Sequence, residues 1–317
     1  MPNDNQHKTT SKHVIGRFAP SPTGRMHAGN IFSALLAWLI AKSQGGDMVL
    51  RIEDLDRERS KCEYIDAVQR DFEKLGLTWD FGPYYQSTRN EAYQSAVSEL
   101  QSRNLLYPCF CSRADLHAAS APHYGEKFVY PGICRNLNSQ EVAVKSLSKS
   151  PATRLIVPDK TYSFVDAIQG EYRQNLMSEC GDFLIKRSDG AFAYQLAVVV
   201  DDAAQGVNSV TRGVDLLNST PEQIYLQDLL GLPACTYAHI PLLVSRENRR
   251  LSKRDKDASI DRLLQLYGSA EAVIGHIAYV VGLTEYDEPA AVEDLLAVFD
   301  LEKIAQKWNG VIQIQWR

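Results

Sequence analysis

Cysteine is scarce in this chain. Six in 317 residues are too few to staple a protein of this length, so a disulfide scaffold is excluded. Long apolar runs are missing as well. The longest near the N-terminus, Ile31 to Ala41, is interrupted by Ser33 and falls well short of the roughly 20 residues that cross a bilayer. Met1 to Lys12 is polar and holds no apolar block, so it reads as a loose tail and not as a secretory signal. The reducing cytosol is therefore the expected compartment, and the sequon-like Asn218-Ser219-Thr220 carries no meaning for glycosylation. A basic excess is lacking too. Lys and Arg total 34 against 39 Asp and Glu, a net charge of −5, and the pI is near 5.8. Such a chain does not coat nucleic acid indiscriminately. A specific nucleic-acid enzyme with a local basic patch is still compatible. The densest patch, Arg246 to Lys256, holds Arg249, Arg250, Lys253 and Arg254.

What is present is an ordinary globular balance, 44% hydrophobic and 23% charged. That excludes a disordered tail protein, a collagen and a coiled-coil rod. The length allows about two domains, or one large core with insertions. Val14 to Ala19 is short and apolar and runs into Pro20-Ser21-Pro22-Thr23-Gly24, a strand followed by a tight turn. Asn30 is placed to cap a helix with apolar positions Ile31, Leu35, Leu36, Trp38, Leu39 and Ile40, which Gly45-Gly46 stops. Met48 to Ile52 is the next strand. This βαβ unit predicts a parallel sheet.

Tyr64, Ile65, Val68, Phe72 and Leu75 predict a helix closed by Gly76, and Ala92, Tyr93, Ala96, Val97 and Leu100 another. Residues 105 to 150 hold three of the cysteines and end in the Ser-rich stretch Ser146 to Ser150, the pattern of an insertion and a linker. Ala193 to Val200 is nearly continuous apolar sequence ending in Asp201-Asp202, which predicts a strand buried on both faces. In Thr220-Pro221-Glu222-Gln223, threonine is expected to cap a helix with proline at its first position. From Ser259 onward helical patterns alternate with short breaks, and no internal repeat is found.

The turn after the first strand, Gly24 to Asn30, has P-loop-like glycine spacing but lacks the Lys and Ser/Thr after its second glycine. No GxGxxG fingerprint occurs either. What is left is His27-Ala28-Gly29-Asn30 at a strand-to-helix turn. A helix N-terminus presents free N–H groups to a phosphate, Gly29 lets the backbone approach closely, and His27 can donate to charge developing on phosphorus.

Four further stretches give that turn its context. They are Arg17-Phe18-Ala19-Pro20-Ser21, Arg51-Ile52-Glu53-Asp54-Leu55-Asp56, the run from Tyr194 to Asp202 with Arg212-Gly213-Val214-Asp215, and Arg250-Leu251-Ser252-Lys253-Arg254. Together, in this order, they resemble the class I glutamyl-tRNA synthetases over about residues 14 to 256. His27-Ala28-Gly29-Asn30 stands where that family has its HIGH motif, and Arg250 to Arg254 where it has KMSKS. The second histidine is here Asn30, and the outer positions of KMSKS are Arg250 and Arg254, while Ser252 and Lys253 are retained.

The resemblance implies an α/β fold with a Rossmann-like parallel sheet, a zinc-bearing insertion and a short helical C-terminal region. The expected division is a tail over 1–13, halves of the nucleotide-binding domain over 14–104 and 151–245, the insertion over 105–150, and the KMSKS-like loop with helices over 246–317. The stretch after Lys253 is too short for the long anticodon-reading domain of full-length members. That points to the truncated branch of the family, whose members activate glutamate without tRNA and attach it to the queuosine base of tRNA(Asp).

The resemblance further implies that Arg17, Phe18, Ala19, Pro20, Ser21, Glu53, Tyr194 and Arg212 hold glutamate. It gives His27, Gly29, Asn30 and Lys253 to ATP, with Asn30, Ser252, His27 and Lys253 serving catalysis. The residue chemistry agrees. A dicarboxylate needs cations, arginine offers a planar fork, and Glu53 can accept from the ammonium. ATP would enter with Mg²⁺. Asp201 and Asp202 are either functional or part of a solvated turn.

Cys109-Phe110-Cys111 and Tyr130-Pro131-Gly132-Ile133-Cys134 put three thiols in one segment, which suggests zinc. By spacing, the fourth ligand could be His117 or His123; the resemblance points to Tyr130. Cys62, Cys180 and Cys235 are scattered and are expected to be core residues. No apolar helix seam stands out, so a monomer is expected. Two other readings stay open: a truncated synthetase charging a tRNA 3′ end, and a non-catalytic paralogue binding glutamate or tRNA.

Overall fold

A computed structural model describes residues 13–112, 129–245, 259–308 and 310–315. Strands β1 (Ile15–Phe18), β2 (Asp47–Ile52) and β3 (Phe81–Tyr85) pair in parallel in that order. Strands β4 (Leu106–Cys109), β5 (Ala152–Leu155) and β8 (Phe183–Lys186) make an antiparallel sheet. A third sheet has the order β7-β6-β10-β9, from β6 (Thr161–Asp166), β7 (Gly170–Asn175), β9 (Ser209–Gly213) and β10 (Thr236–Ile240). In it β10 is parallel to both neighbours and only β7 runs against β6. Finally, β11 (Leu242–Val244) pairs in parallel with β12 (Val311–Gln313), a strand the sequence pattern does not announce.

The first and third sheets meet at β1 and β9. There the Asn208 N–H donates to Ile15 O at 3.0 Å, and the Ile15 N–H donates to Asn208 Oδ1 at 2.9 Å. From β1 the chain turns to β2 on one side and meets β9 on the other. That is a switch point, where open α/β sheets bind ligands beyond the carboxyl ends of their strands.

Helix α1 (Ala28–Lys42) packs against β1, β2, β9 and β11. It is apolar on almost every side, with Ile31, Leu35, Leu36 and Leu39 fully buried, as a helix covered by structure all round must be. With Met48, Leu50, Ile52, Ile274 and Ile277 they form the main core. Each such side chain contributes roughly 1.5–3 kcal/mol by leaving water. A second core gathers Tyr93 and Leu100 of α3 (Asn90–Ser102), Leu155, Leu196, Val198 and Leu226. α2 (Cys62–Lys74) buries Val68 and Phe72.

The structure corrects several expectations. Residues from Tyr194 to Ala204 form a helix, not a strand. A continuous buried apolar run does not separate the two, and here tertiary burial of Leu196, Ala197, Val198 and Val199 overrides the strand preference of valine. The cap of α1 is His27 and not Asn30. The helix begins at Ala28, and Asn30 closes a capping box, its Oδ1 accepting from His27 N–H at 3.1 Å. Thr220 is already the first residue of its helix, Thr220–Leu230, and its side chain is buried and turned to other use. Cys62 is exposed in the first turn of α2, off the face that Val68 and Phe72 bury, while Cys180 and Cys235 are half-buried. Within the expected insertion, Ser139–Ser146, which runs into the Ser-rich stretch, is a helix capped by Asn138. Among the described residues no helix is long and apolar enough to cross a membrane.

Candidate active site

At the carboxyl ends of β1 and β9 lies a cavity of about 480 Å³. Its walls include Arg17, Phe18, Ala19, Pro20, Ser21, Glu53, Tyr194 and Arg212, with His27, Gly29 and Asn30 of the α1 turn. Every described residue assigned above to glutamate or ATP thus borders one space. Ser252, Lys253, Arg250 and Arg254 lie outside the described residues. The two ends of their segment are nevertheless set beside the cavity. Leu242 and Leu243 of β11 line it, and Ser259 pairs with His27 in an antiparallel bridge.

His27 Nδ1 accepts from the Gly29 N–H at 3.1 Å. In the neutral ring the proton is then on Nε2, which is the ring's donor. The arginines are held in two different ways. Arg17 is buried and donates from Nη1 to Thr211 O at 2.9 Å, with Nε 3.6 Å from Asp202. Arg51, wholly buried, donates to Asp202 Oδ1 at 2.6 Å, to Gln205 at 3.0 Å and to Glu53 at 3.3 Å. Asp202 is therefore the anion between two buried cations. Asp201, also buried, accepts from Gln86, Arg89 and Tyr93. Neither is part of a solvated turn.

Arg212 is held differently. Its Nε donates to His239 Nε2 at 3.0 Å, Nη1 to Gln223 Oε1 at 2.8 Å and Nη2 to Thr220 Oγ1 at 2.8 Å. Guanidinium nitrogens only donate, so His239 Nε2 presents its lone pair. The ring is neutral, and Nδ1–H donates to Asp166 Oδ2 at 2.6 Å. Burial lowers the pKa of His239; the hydrogen bond to Asp166 opposes this, the Arg212 charge adds to it, and the net shift is downward. His239 and Asp166 escaped the sequence reading, although a histidine inside the apolar strand Tyr237-Ala238-His239-Ile240 was a usable signal. Asp215, another cavity residue, stood inside the Arg212 motif.

Burial raises the Glu53 carboxyl above its ordinary value, against the opposing charges of Arg51 and Arg17. Enclosure likewise raises the Tyr194 phenol, with Arg212 opposing, so Tyr194 stays a hydroxyl donor. It stands at the first position of its helix, 37% exposed and bordering the cavity.

In the antiparallel sheet region the Sγ atoms of Cys109, Cys111 and Cys134 lie within 4.8 Å of one another. The Tyr130 hydroxyl is 3.4 Å from Cys109 Sγ and 3.7 Å from Cys111 Sγ. Burial raises the Cys109 thiol, but hydrogen bonds from Tyr130 and Arg154 outweigh it and bring it below the ordinary value. Arg154 Nε donates to Cys109 Sγ at 3.3 Å and stacks over the Tyr130 ring at 3.7 Å. Three thiols, one held toward the thiolate, suit a soft divalent ion. His117 and His123 lie outside the described residues.

The model for the catalytic domain of tRNA synthetases class I (E and Q) matches residues 13–304. Over 306 residues the chain is 45% identical to the glutamyl-Q tRNA(Asp) synthetase of Symbiobacterium thermophilum, covering 93% of this chain and 94% of that protein. It is 42% identical over 296 residues to the protein of the same name from Nitratidesulfovibrio vulgaris, covering 90% and 91%. A crystal structure of a glutamate tRNA ligase from Elizabethkingia meningosepticum in complex with its amino acid superposes with a TM-score of 0.80 at 26% identity, over 96% of this chain and 68% of that one. With its arginine-lined cavity at the switch point of a parallel sheet, the chain belongs to the glutamyl-Q tRNA(Asp) synthetase family, within the class I synthetases.

Proposed function

We propose that this ligase activates glutamate with ATP, without tRNA, and transfers it to the queuosine base in the anticodon of tRNA(Asp). The observation that carries the reading is one cavity bordered by Arg17, Glu53, Tyr194 and Arg212 and by the N-terminal turn of α1 with His27. Arg212 and Arg17 suit the two carboxylates of the amino acid, Glu53 accepts from its ammonium, and Tyr194 donates a hydroxyl hydrogen bond. A glutamate carboxylate oxygen attacks the α-phosphorus of MgATP, the bond to the bridging oxygen breaks, and pyrophosphate leaves. The His27 ring, whose Nε2–H is its donor, the positive end of the α1 dipole and Lys253 stabilise the charge that builds on phosphorus. A hydroxyl of the acceptor then attacks the carbonyl carbon of the mixed anhydride, forming an ester and releasing AMP. No side chain becomes a covalent nucleophile.

Cys109, Cys111, Tyr130 and Cys134 are the residues that would hold Zn²⁺, as a structural crosslink. ATP and tRNA as substrates suit the cytoplasm, and a monomer suffices for a cavity built from one chain. The test is transfer of labelled glutamate to tRNA from cells with and without queuosine. Label only on the queuosine-containing pool is expected. Equal label on both pools would mean 3′-end charging. A chain giving no glutamate-dependent ATP–pyrophosphate exchange would be a binding paralogue.

A further inference from the structure

Around the cavity, two buried arginines face a carboxylate directly: Arg51 and Arg17 share Asp202. Among the described residues, Arg212 meets no carboxylate within ion-pair distance. One imidazole stands between it and the anchored carboxylate of Asp166. Asp166 is itself firmly held. Its oxygens also accept from the backbone N–H groups of Ile168 (3.0 Å), Gln169 (2.9 Å) and His239 (3.1 Å). Both His239 and Asp166 side chains are wholly buried.

A carboxylate placed directly on Arg212 would orient it equally well, but it would also neutralise it. It would then compete with an incoming carboxylate for the same N–H groups. A neutral imidazole accepts one N–H bond without adding charge. The carboxylate behind it fixes the ring and its tautomer from one ring-width further away. Three of the five guanidinium N–H groups are used by His239, Gln223 and Thr220. Two are left, on a cation whose charge is not spent.

We infer that His239, braced by Asp166, is a positioning residue that locks the Arg212 guanidinium while leaving its full charge for the glutamate carboxylate. The inference rests on the assignment of Arg212 to glutamate made above. It does not require His239 to touch substrate.

The test uses the full chain in glutamate-dependent ATP–pyrophosphate exchange, with KM measured separately for glutamate and ATP. His239→Gln keeps an acceptor where Nε2 was, and His239→Glu puts a carboxylate at the same reach. His239→Asn keeps the Asp166 side and loses the acceptor. The loss of a hydrogen bond to a charged group is expected to raise the glutamate KM of His239→Asn by about tenfold or more. Its ATP KM and kcat should stay within about threefold. His239→Gln is expected to stay within about threefold of the parent in glutamate KM, and His239→Glu to exceed His239→Gln by about tenfold. Equal glutamate KM for the Gln and Glu variants would overturn the inference, as would an Asn variant whose KM is unchanged. Those two length-matched variants differ in charge alone, so the comparison stands even where the Asn variant does not fold. Arg212→Lys, which loses the fork, separates the two levels. If it leaves the glutamate KM unchanged, the assignment of Arg212 itself fails. If it raises that KM while the His239 variants do not, only the positioning role fails.

Discussion

Asp202 accepts from Arg51 Nη1 at 2.6 Å and lies 3.6 Å from Arg17 Nε, in surroundings nearly closed to water. Removing it leaves two buried guanidinium groups without their shared anion. Asp202→Ala should therefore destabilise the fold by about 3–5 kcal/mol, read as a lower urea midpoint. An unchanged midpoint would show that the cluster is solvated in solution. Asp71 makes the opposite case. Burial pushes its carboxyl up to about 6 from 3.8, and Arg25, 3.3 Å away, offsets this only in part. Its Oδ2 finds no hydrogen-bond partner. Between those pH values the folded state keeps a proton that the unfolded chain has lost. The contribution of Asp71 is thus fully present below 3.8 and is lost as pH rises through about 6. Over two pH units that is at most roughly 3 kcal/mol. Asp71→Asn abolishes the titration, so the stability of the variant relative to the parent should climb between about pH 4 and pH 7. Parallel curves would refute the burial of this carboxyl.

At the scale of elements, the N-terminal turn of α1 joins sequence to chemistry most directly. A Cβ on Gly29 would stand 3.0 Å from His27 Cε1 and 3.1 Å from Nδ1. The ring must shift, and with it the bond it accepts from the Gly29 N–H. Inside a helix, alanine is favoured over glycine by about 1 kcal/mol. Gly29→Ala is therefore expected to keep or raise the melting temperature while lowering exchange kcat by about tenfold. A variant equally active would show that His27 need not hold this geometry. The cysteine cluster belongs to another element pair, β4 and the turn before the Ser139–Ser146 helix. Chain purified without chelator should carry close to one zinc per chain, and Cys134→Ser should lose the metal and melt lower. Well under one zinc in the parent would remove the metal assignment.

Across the whole molecule, a net charge of −5 repels a polyanion at long range. Association with tRNA has to come from local cations against that background. Affinity for tRNA should then fall steeply with salt, along a log–log slope set by the few phosphates neutralised. Glutamate-dependent exchange should change less over the same range, because Arg17 and Arg212 are buried, Glu53 is nearly so, and such charges are poorly screened. Binding that ignores salt would show that recognition does not run through phosphates.

How much of this was legible in the sequence follows from the distance over which each feature is decided. The strand β1, its turn, α1 and β2 are set within about forty residues by apolar spacing and turn formers, and the pattern showed them. The described residues that the motifs assigned to glutamate and ATP do border one cavity. The helix from Tyr194 to Ala204 was not legible, because a run buried on every side has no period to read. Nor was the exposure of Cys62, which depends on the face α2 turns inward. Asp166 and His239 are 73 residues apart, and Asp202 and Arg51 are 151 apart. Local pattern carries no information about such pairs. Only the pairing of β10 with β9 sets His239 beside Arg212, that of β10 with β6 sets Asp166 behind it, and the docking of the Tyr194–Ala204 helix brings Asp202 to Arg17 and Arg51. The motif residues were thus written into the chain, while that Arg17 and Arg51 meet a carboxylate and Arg212 an imidazole was decided by tertiary contacts between distant segments.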